Sequence, residues 1–471
     1  MFGLSLEMSL ILAICLIAAC AFEFINGFHD TANAVATVIY TKSMKPSWAV
    51  IWSGLWNFIG VYVGGIAVAM GIVKLLSNTV LVDPNVYHSI AMILALIITA
   101  IIWNLGTWYF GIPCSSSHTL IGSIFGVGIA YLLLPDAIAN PLNWGKVKDV
   151  GLSLFISPMV GFGLAIGVMA LFKKYVKKDS FFEEDPKRKH PPIGVRATLI
   201  GTSTLLSFFH GSNDGQKGVG LVMIILIALI PAKFALDPHK SPAMLSDRAI
   251  QMELVISKFD TTGIAIEDKQ KCDLLKGKLT HIRTVLGNST SFDSLKGNAN
   301  FSVRKDIIAV SEGVDYLLIR NIDQEEIKLS DEDRKTLKKG VHYFKSYIEY
   351  SPWWVILMIS ISLGLGTMIG WKRIVVTVGE KIGKTPLSYA QGASANLVAA
   401  ATIGLSTGFG LPVSTTHVLS SGVAGTMVAK KGIKNLRMKT VKNILIAWLV
   451  TLPVTIVMAG SLFLLLRWLM G

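Results

Sequence analysis

Ten apolar stretches, most of them near 20 residues long, succeed one another at about 6–26, 47–73, 88–110, 115–134, 150–172, 197–231, 352–371, 387–407, 413–429 and 440–469. A bilayer core of about 30 Å takes roughly 20 apolar residues of helix, so each stretch predicts a membrane helix or half-helix. The first run has no basic segment ahead of it and no small-residue cleavage site, which reads as a retained first helix rather than a cleaved signal. Residues 233–350 differ: Leu, Ile and Val spaced among Lys and Asp, as from Leu318 to Leu337, predict amphipathic helices, with a Gly/Asn/Ser-rich break at Gly287 to Ser291. The expected fold class is an all-α polytopic membrane protein, about 10 to 12 transmembrane helices or half-helices in an inverted repeat, with a soluble helical insert. The expected divisions are 1–172 (first transmembrane repeat), 173–196 (basic linker), 197–232 (start of the second repeat), 233–350 (soluble charged insert) and 351–471 (remainder of the second repeat).

The repeat is written in the polar interruptions. Gly27-Phe28-His29-Asp30 returns as Gly211-Ser212-Asn213-Asp214, and Gly111-Ile112-Pro113-Cys114-Ser115-Ser116-Ser117-His118 returns as Gly410-Leu411-Pro412-Val413-Ser414-Thr415-Thr416-His417. Asp30 and His118 are 88 residues apart; Asp214 and His417 are 203 apart, or 85 once the 118-residue insert is left out. Five apolar segments per copy is an odd number, so the second copy enters the membrane from the opposite face, the plan of many secondary transporters.

Composition narrows the class. Of 471 residues, 52% are hydrophobic and only 16% charged, where soluble domains carry about a quarter. Residues 233–350 hold 19 Lys and Arg and 18 Asp and Glu, half of all charged residues. A single soluble enzyme, a disordered scaffold and a fibrous rod are excluded. The net charge of +14 does not imply nucleic acid, because outside the insert the basic residues sit mostly between apolar runs, where the positive-inside rule accounts for them. Four basic stretches share one side: Lys42 with Lys45; Lys173, Lys174, Lys177, Lys178, Lys187, Arg188, Lys189 and Arg196; Lys372, Arg373, Lys381 and Lys384; and Lys430, Lys431, Lys434, Arg437 and Lys439. That side is expected to be cytoplasmic, which puts both termini and the insert outside an inner (plasma) membrane. Cys15, Cys20, Cys114 and Cys272 have no metal-ligand spacing and imply neither disulfides nor zinc.

Among the acidic residues outside the insert, Glu23, Asp30 and Asp214 stand within apolar segments, where a carboxylate is costly and is a functional candidate by default; pairing with a Lys for structure alone is the alternative. The glycines before each Asp motif, Gly27 and Gly211, are expected to break the helix and free backbone groups for a ligand. Each Pro-x-Ser-(Ser/Thr)-(Ser/Thr)-His run reads as a helix start at membrane depth, with Ser115, Ser116 and Ser117, and Ser414, Thr415 and Thr416, presenting hydroxyls and unpaired N–H groups to one anion. A phosphate or sulfate suits such a cage; a plain cap on a buried hairpin is the alternative. Two like charges about 4 Å apart cost roughly 4 kcal/mol at an effective dielectric of 20, so the acids fit coupling-cation sites better than anion ligands. His29, His118, His210 and His417 stand beside them as candidate proton or metal relays, or as hydrogen-bonded structural residues. Lys217 has no basic counterpart in the first copy and either neutralises Asp214 or meets an anion. Gln216-Lys217-Gly218 lacks the Gly-Lys-Ser/Thr of a P-loop, which argues against ATP drive. Duplication of the whole constellation argues against an intramembrane hydrolase, which needs one nucleophile. An anion channel would use the same helix starts, but not the acids.

Asn26-Gly27-Phe28-His29-Asp30-Thr31-Ala32-Asn33-Ala34 and His210-Gly211-Ser212-Asn213-Asp214-Gly215-Gln216-Lys217-Gly218 resemble the signatures of the PiT family of inorganic phosphate transporters, in its bacterial low-affinity branch. Trp103-Asn104-Leu105-Gly106-Thr107-Trp108-Tyr109-Phe110 and both Pro-x-Ser motifs extend the likeness over roughly three quarters of the chain, the insert excepted. The resemblance implies secondary uptake of inorganic phosphate, with Asn33 and Asn213 joining the Ser/Thr residues as substrate ligands and Asp30, Asp214 and Glu23 as cation sites. It implies no cofactor, with a divalent metal entering as co-substrate in a metal-phosphate complex, and protons ahead of sodium as the coupling ion. The lipid bilayer is the other partner, and a homo-oligomer stays open. Lys217 stands where the family's Asn-Asp-x-x-Asn pattern has Asn, as Asn33 does in the first copy, which favours protons further.

Overall fold

A computed structural model of the chain describes residues 2–135, 140–176, 179–182, 190–259, 266–324 and 329–470, though not the side chains of Asn33, 179–180, 320–324, Val378 and Glu380. Lys177, Lys178, Lys187, Arg188 and Lys189 of the basic linker lie outside these residues. The chain is helical, and each of the ten apolar stretches contains a helix. It divides into two compact units, residues 1–225 with 351–471, and residues 226–350.

In the larger unit the first repeat comprises α1 (Leu6–Tyr40), α2 (Pro46–Val63), α3 (Val86–Tyr109), α4 (Ser116–Leu132) and α5 (Trp144–Tyr175). The second begins with α6 (Ile193–His210), which continues through a π-helical turn, Gly211–Gly215, into α7 (Gln216–Leu229). Among the described residues α1, α3, α5 and the last helix, Met438–Met470, are singly long and apolar enough to cross a membrane. Many large apolar side chains on them, such as Ile17, Phe155 and Trp468, face outward, as a lipid solvent requires.

The second unit is a four-helix bundle: α8 (Pro242–Ser257), α9 (Ile266–Leu286), α10 (Ala299–Gln324) and α11 (Asp331–Ile348) each pack on the next, and α11 closes on α8. Its core holds Leu245, Met252, Leu279, Ile307, Leu337 and Phe344. The chain enters and leaves this bundle side by side. Asp237 N donates to Tyr347 O at 2.8 Å, and the buried Arg304 guanidinium donates to Ala235 O (3.0 Å) and Ile348 O (3.1 Å). Burial pushes the Arg304 pKa down to about 10, so the side chain still carries its charge at neutral pH.

The second repeat resumes with α12 (Trp353–Met368), α13 (Tyr389–Gly408), α14 (Thr415–Lys431) and α15 (Met438–Met470). Packing is reciprocal between the repeats. Helix α1 lies on α12 as α6 and its π turn lie on α2; α4 lies on α15 as α14 lies on α5; α3 meets α15 as α13 meets α5. The basic segments bond to one another: Arg196 Nε donates to Ser43 O (2.7 Å), Lys173 Nζ to Ala429 O (2.7 Å) and Lys384 N to Asn435 O (2.8 Å).

One expectation fails. Gly27 does not break its helix: α1 runs unbroken through the whole signature for 35 residues. Gly211 produces a widened turn rather than a gap. Both glycines serve close approach instead. A Cβ at Gly27 would stand 2.5 Å from Thr367 N, and one at Gly211 would stand 2.2 Å from Asn57 O. The backbone stays satisfied within the helix, and Thr31 Oγ1 bonds to both Gly27 O and Thr367 O at 2.6 Å.

Candidate functional site

Helical spacing sets Glu23, Asn26 and Asp30 on one face of α1, at i, i+3 and i+7. On the second repeat His210, Asp214 and Lys217 stand at i, i+4 and i+7 across the π turn, whose extra residue rotates the downstream part of the helix. These two faces meet. His210 Nε2 lies 2.9 Å from Asp30 Oδ1 and 3.4 Å from Asp214 Oδ2. All three side chains are buried, and neither Asp30 oxygen nor either His210 nitrogen has a hydrogen bond of good angle, so the trio keeps open bonding capacity.

Asp214 is the more heavily engaged carboxylate. Oδ1 accepts from Lys217 Nζ at 2.5 Å, and Oδ2 accepts from Thr415 Oγ1 at 3.0 Å. Lys217, itself fully buried, also donates to Ser117 Oγ and to Val413 O, the latter at 3.0 Å. Thus the pairing of Lys217 that the sequence left open is made with Asp214. Glu23 stands apart from these bonds: Oε1 accepts from Asn26 Nδ2 at 3.1 Å, and Oε2 faces the bare backbone of Gly218 without a hydrogen bond.

The two Pro-x-Ser runs share their turn and cap geometry. Gly111 (φ +65°) and Gly410 (φ +67°) take the left-handed conformation that ends α3 and α13, which a side chain would disfavour. Ile112 N reaches back to Thr107 O, and Leu411 N to Ser406 O, each at 2.9 Å. After the prolines, Ser115 Oγ accepts from His118 N and Ser414 Oγ accepts from His417 N, each at 3.2 Å, which makes both serines N-caps. Ser116 and Ser117 open α4, and Thr415 and Thr416 open α14, where first-turn N–H groups have no intrahelical acceptor. The two starts touch, since Ser117 Oγ donates to Val413 O at 2.7 Å.

The histidines divide. His210 joins the carboxylates. His118 and His417 face one another with ring centroids 4.5 Å apart, and His417 stacks on Trp448 at 3.8 Å. His29 lies elsewhere, bonded to Asn104 O at 3.0 Å. Asn213 is held by the Pro412 turn: Nδ2 donates to Thr407 Oγ1 (2.9 Å) and Oδ1 accepts from Val413 N (3.3 Å). Asn33 is on α1, but its side chain is outside the described residues. Sequence reasoning passed over Trp448 and the buried bond from Asn57 Nδ2 to Thr367 Oγ1 (2.9 Å), which joins α2 to α12; a lone Asn in an apolar segment was the available signal.

Chemically, the site sets a cluster of side chains able to ligate a cation beside two helix starts able to receive an anion. One atom each of Asp30, His210 and Asp214 lies within 4.8 Å of the others, a donor set of the kind a divalent cation takes. Beside it, two helix N-termini present hydroxyls and amides.

Known proteins agree with this architecture. The profile of the phosphate transporter family matches residues 26–459. The low-affinity inorganic phosphate transporters PitB and PitA of Escherichia coli (strain K12) are each 39% identical to the chain, over 98% of it and 97% of their own length. A probable low-affinity inorganic phosphate transporter of Bacillus subtilis (strain 168) is 30% identical over 98% of this chain and 99% of that protein. A solved structure titled the sodium-dependent phosphate transporter shares the fold, with a TM-score of 0.55 at 19% identity, over 97% of this chain and 99% of that one. Families of this kind are transporters, not enzymes, and the chain is a multi-pass membrane protein. On the family profile and these identities, the chain belongs to the phosphate transporter family.

Proposed function

We propose that this chain imports inorganic phosphate across an inner membrane, coupled to protons and carrying the phosphate as a divalent metal complex. The observation that supports this reading most is the buried trio Asp30, His210 and Asp214 beside the paired starts of α4 and α14. An anion brought next to two carboxylates meets repulsion of a few kcal/mol at about 4 Å, so positive charge must travel with it. Protons on the trio, or a divalent cation held by it, supply that charge. Reciprocal packing of the two repeats supports an inverted-repeat mechanism in which the halves rock about this cluster. The bonds among the basic segments support reading them as one cytoplasmic end, and on that reading both termini and the insert are outside.

Proteoliposomes test the proposal. Labelled phosphate is expected to accumulate under an imposed inward pH gradient, more strongly with Mg²⁺ or Mn²⁺ than with a chelator. Accumulation that depends on a sodium gradient alone would transfer the coupling to sodium; equilibration without accumulation under any gradient would make the chain an anion channel.

A further inference from the structure

Lys217 is where the two repeats differ most in chemistry. Three residues after the motif aspartate the first repeat has Asn33 and the second has Lys217. Among the described residues the Lys217 ammonium bonds to oxygen alone: the Asp214 carboxylate at 2.5 Å, the Val413 carbonyl at 3.0 Å and the Ser117 hydroxyl. One carboxylate, one backbone carbonyl and one hydroxyl, from three different segments, form the kind of oxygen cage that holds a hard cation. The cage is shielded from bulk solvent, since Lys217, Asp214 and Ser117 are all buried. Asp214 Oδ2 is turned to His210 and Thr415, while Oδ1 has Lys217 as its partner, so the ammonium's place is one in which another cation would meet a free carboxylate oxygen. Asp30, the counterpart of Asp214, makes no lysine pair among the described residues; its partner is His210 at 2.9 Å.

We infer that Lys217 is a tethered cation: its ammonium permanently fills, in the second repeat, a position that would otherwise bind an exchangeable sodium ion. Because the ammonium is covalently held, it neutralises Asp214 without leaving with the substrate. The chain therefore exchanges one cation fewer per turnover than a two-site arrangement and does not respond to sodium at this site. The inference rests on the reading of the chain as a cation-coupled phosphate transporter, and it names Lys217 as the residue that sets its ion selectivity.

The test uses the full-length protein and the variants Lys217→Asn, Lys217→Arg and Lys217→Asn with Asp214→Asn. Melting temperature is measured in detergent with choline replaced by sodium, and phosphate uptake is measured in proteoliposomes under a sodium gradient at equal pH. Wild type and Lys217→Arg are expected to show no sodium response in either assay. Lys217→Asn should melt a few degrees higher in sodium, as a ligand that binds only the folded state requires, and its uptake should rise severalfold with the gradient. The double variant should lose both effects. The inference is overturned if wild type shows the same sodium stabilisation, or if Lys217→Asn elutes as a folded monodisperse protein and ignores sodium. It is equally overturned if Lys217→Asn aggregates in choline and sodium during extraction does not recover it. Wild type that accumulates no phosphate under a pH gradient would refute the functional reading instead, while the melting assay would still decide the cation question.

Discussion

Asp30 on α1 and His210 at the end of α6 meet at 2.9 Å, so the first repeat's aspartate is paired with the second repeat's histidine rather than with a residue of its own copy. His210 in turn lies 3.4 Å from Asp214, so one imidazole stands between carboxylates contributed by both repeats. Movement of one half against the other changes these distances directly.

Asp30→Asn and Asp214→Asn are both expected to abolish concentrative phosphate uptake, yet to differ in stability. Asp214→Asn leaves Lys217 buried without its carboxylate, which costs about 3–5 kcal/mol. Asp30→Asn leaves His210 with Asp214 as its neighbouring carboxylate and strands no lysine, so it should cost less stability than Asp214→Asn. Combining Asp214→Asn with Lys217→Met should restore the melting temperature without restoring uptake. Uptake and melting curves on the same preparations check this; wild-type accumulation by either single variant would remove that residue from the coupling site.

The serines at the helix starts should separate by position. Ser115 and Ser414 are N-caps, so Ser115→Ala and Ser414→Ala are expected to lower stability by about 1 kcal/mol each and leave phosphate affinity of the folded protein unchanged. Ser116→Ala and Thr415→Ala should each weaken phosphate binding by about 1–3 kcal/mol, the range for a buried partner left unsatisfied. Since both would donate to one anion, the double variant should be non-additive. Isothermal titration with phosphate decides it.

Gly211→Ala pushes a methyl group into the carbonyl of Asn57, where only 2.2 Å is available. Overpacking of this kind costs about 1–3 kcal/mol, and it separates α2 from the π turn that aims Asp214. The expected result is a lower melting temperature with impaired uptake. Gly201→Ala, on α6 with open space around it, is the control and should behave as wild type.

Charge counting predicts that the four-helix insert faces outside. Ser289, next to the exposed Gly287 turn, carries the test as Ser289→Cys. A membrane-impermeant maleimide should label it in intact spheroplasts, above the signal of the parent protein, whose Cys15, Cys114 and Cys272 are buried and whose half-buried Cys20 lies within the apolar part of α1. Labelling only after permeabilisation would place the insert inside. The adjacent chain ends at Asp237 and Tyr347 also predict that the bundle can be excised and bridged by a short Gly-Ser linker with the remaining protein still inserted.

Much of this protein was determined by sequence alone. The apolar stretches located the membrane helices because burying about twenty residues in hydrocarbon is a local requirement, met segment by segment. Duplicated motifs marked two copies in the sequence, and the cost of charge in a bilayer singled out Asp30, Asp214 and Glu23 as candidates, all three of which the fold buries. Helix starts at Ser115 and Ser414 were legible for the same reason, since caps and prolines act over three or four residues. Tertiary structure decided the rest. Whether Gly27 breaks α1 depends on the approach of α12, a helix more than 300 residues away in sequence, and close packing kept the helix whole. The π turn at Gly211–Gly215 alters the register between His210 and Lys217, and no local pattern announces it. Which histidine meets the carboxylates, and that Lys217 finds Ser117 and Val413 as well as Asp214, depend on four segments converging on one point. Such convergence is a property of packing between distant elements, where each contact is chosen by the shape of the others and not by its neighbours along the chain.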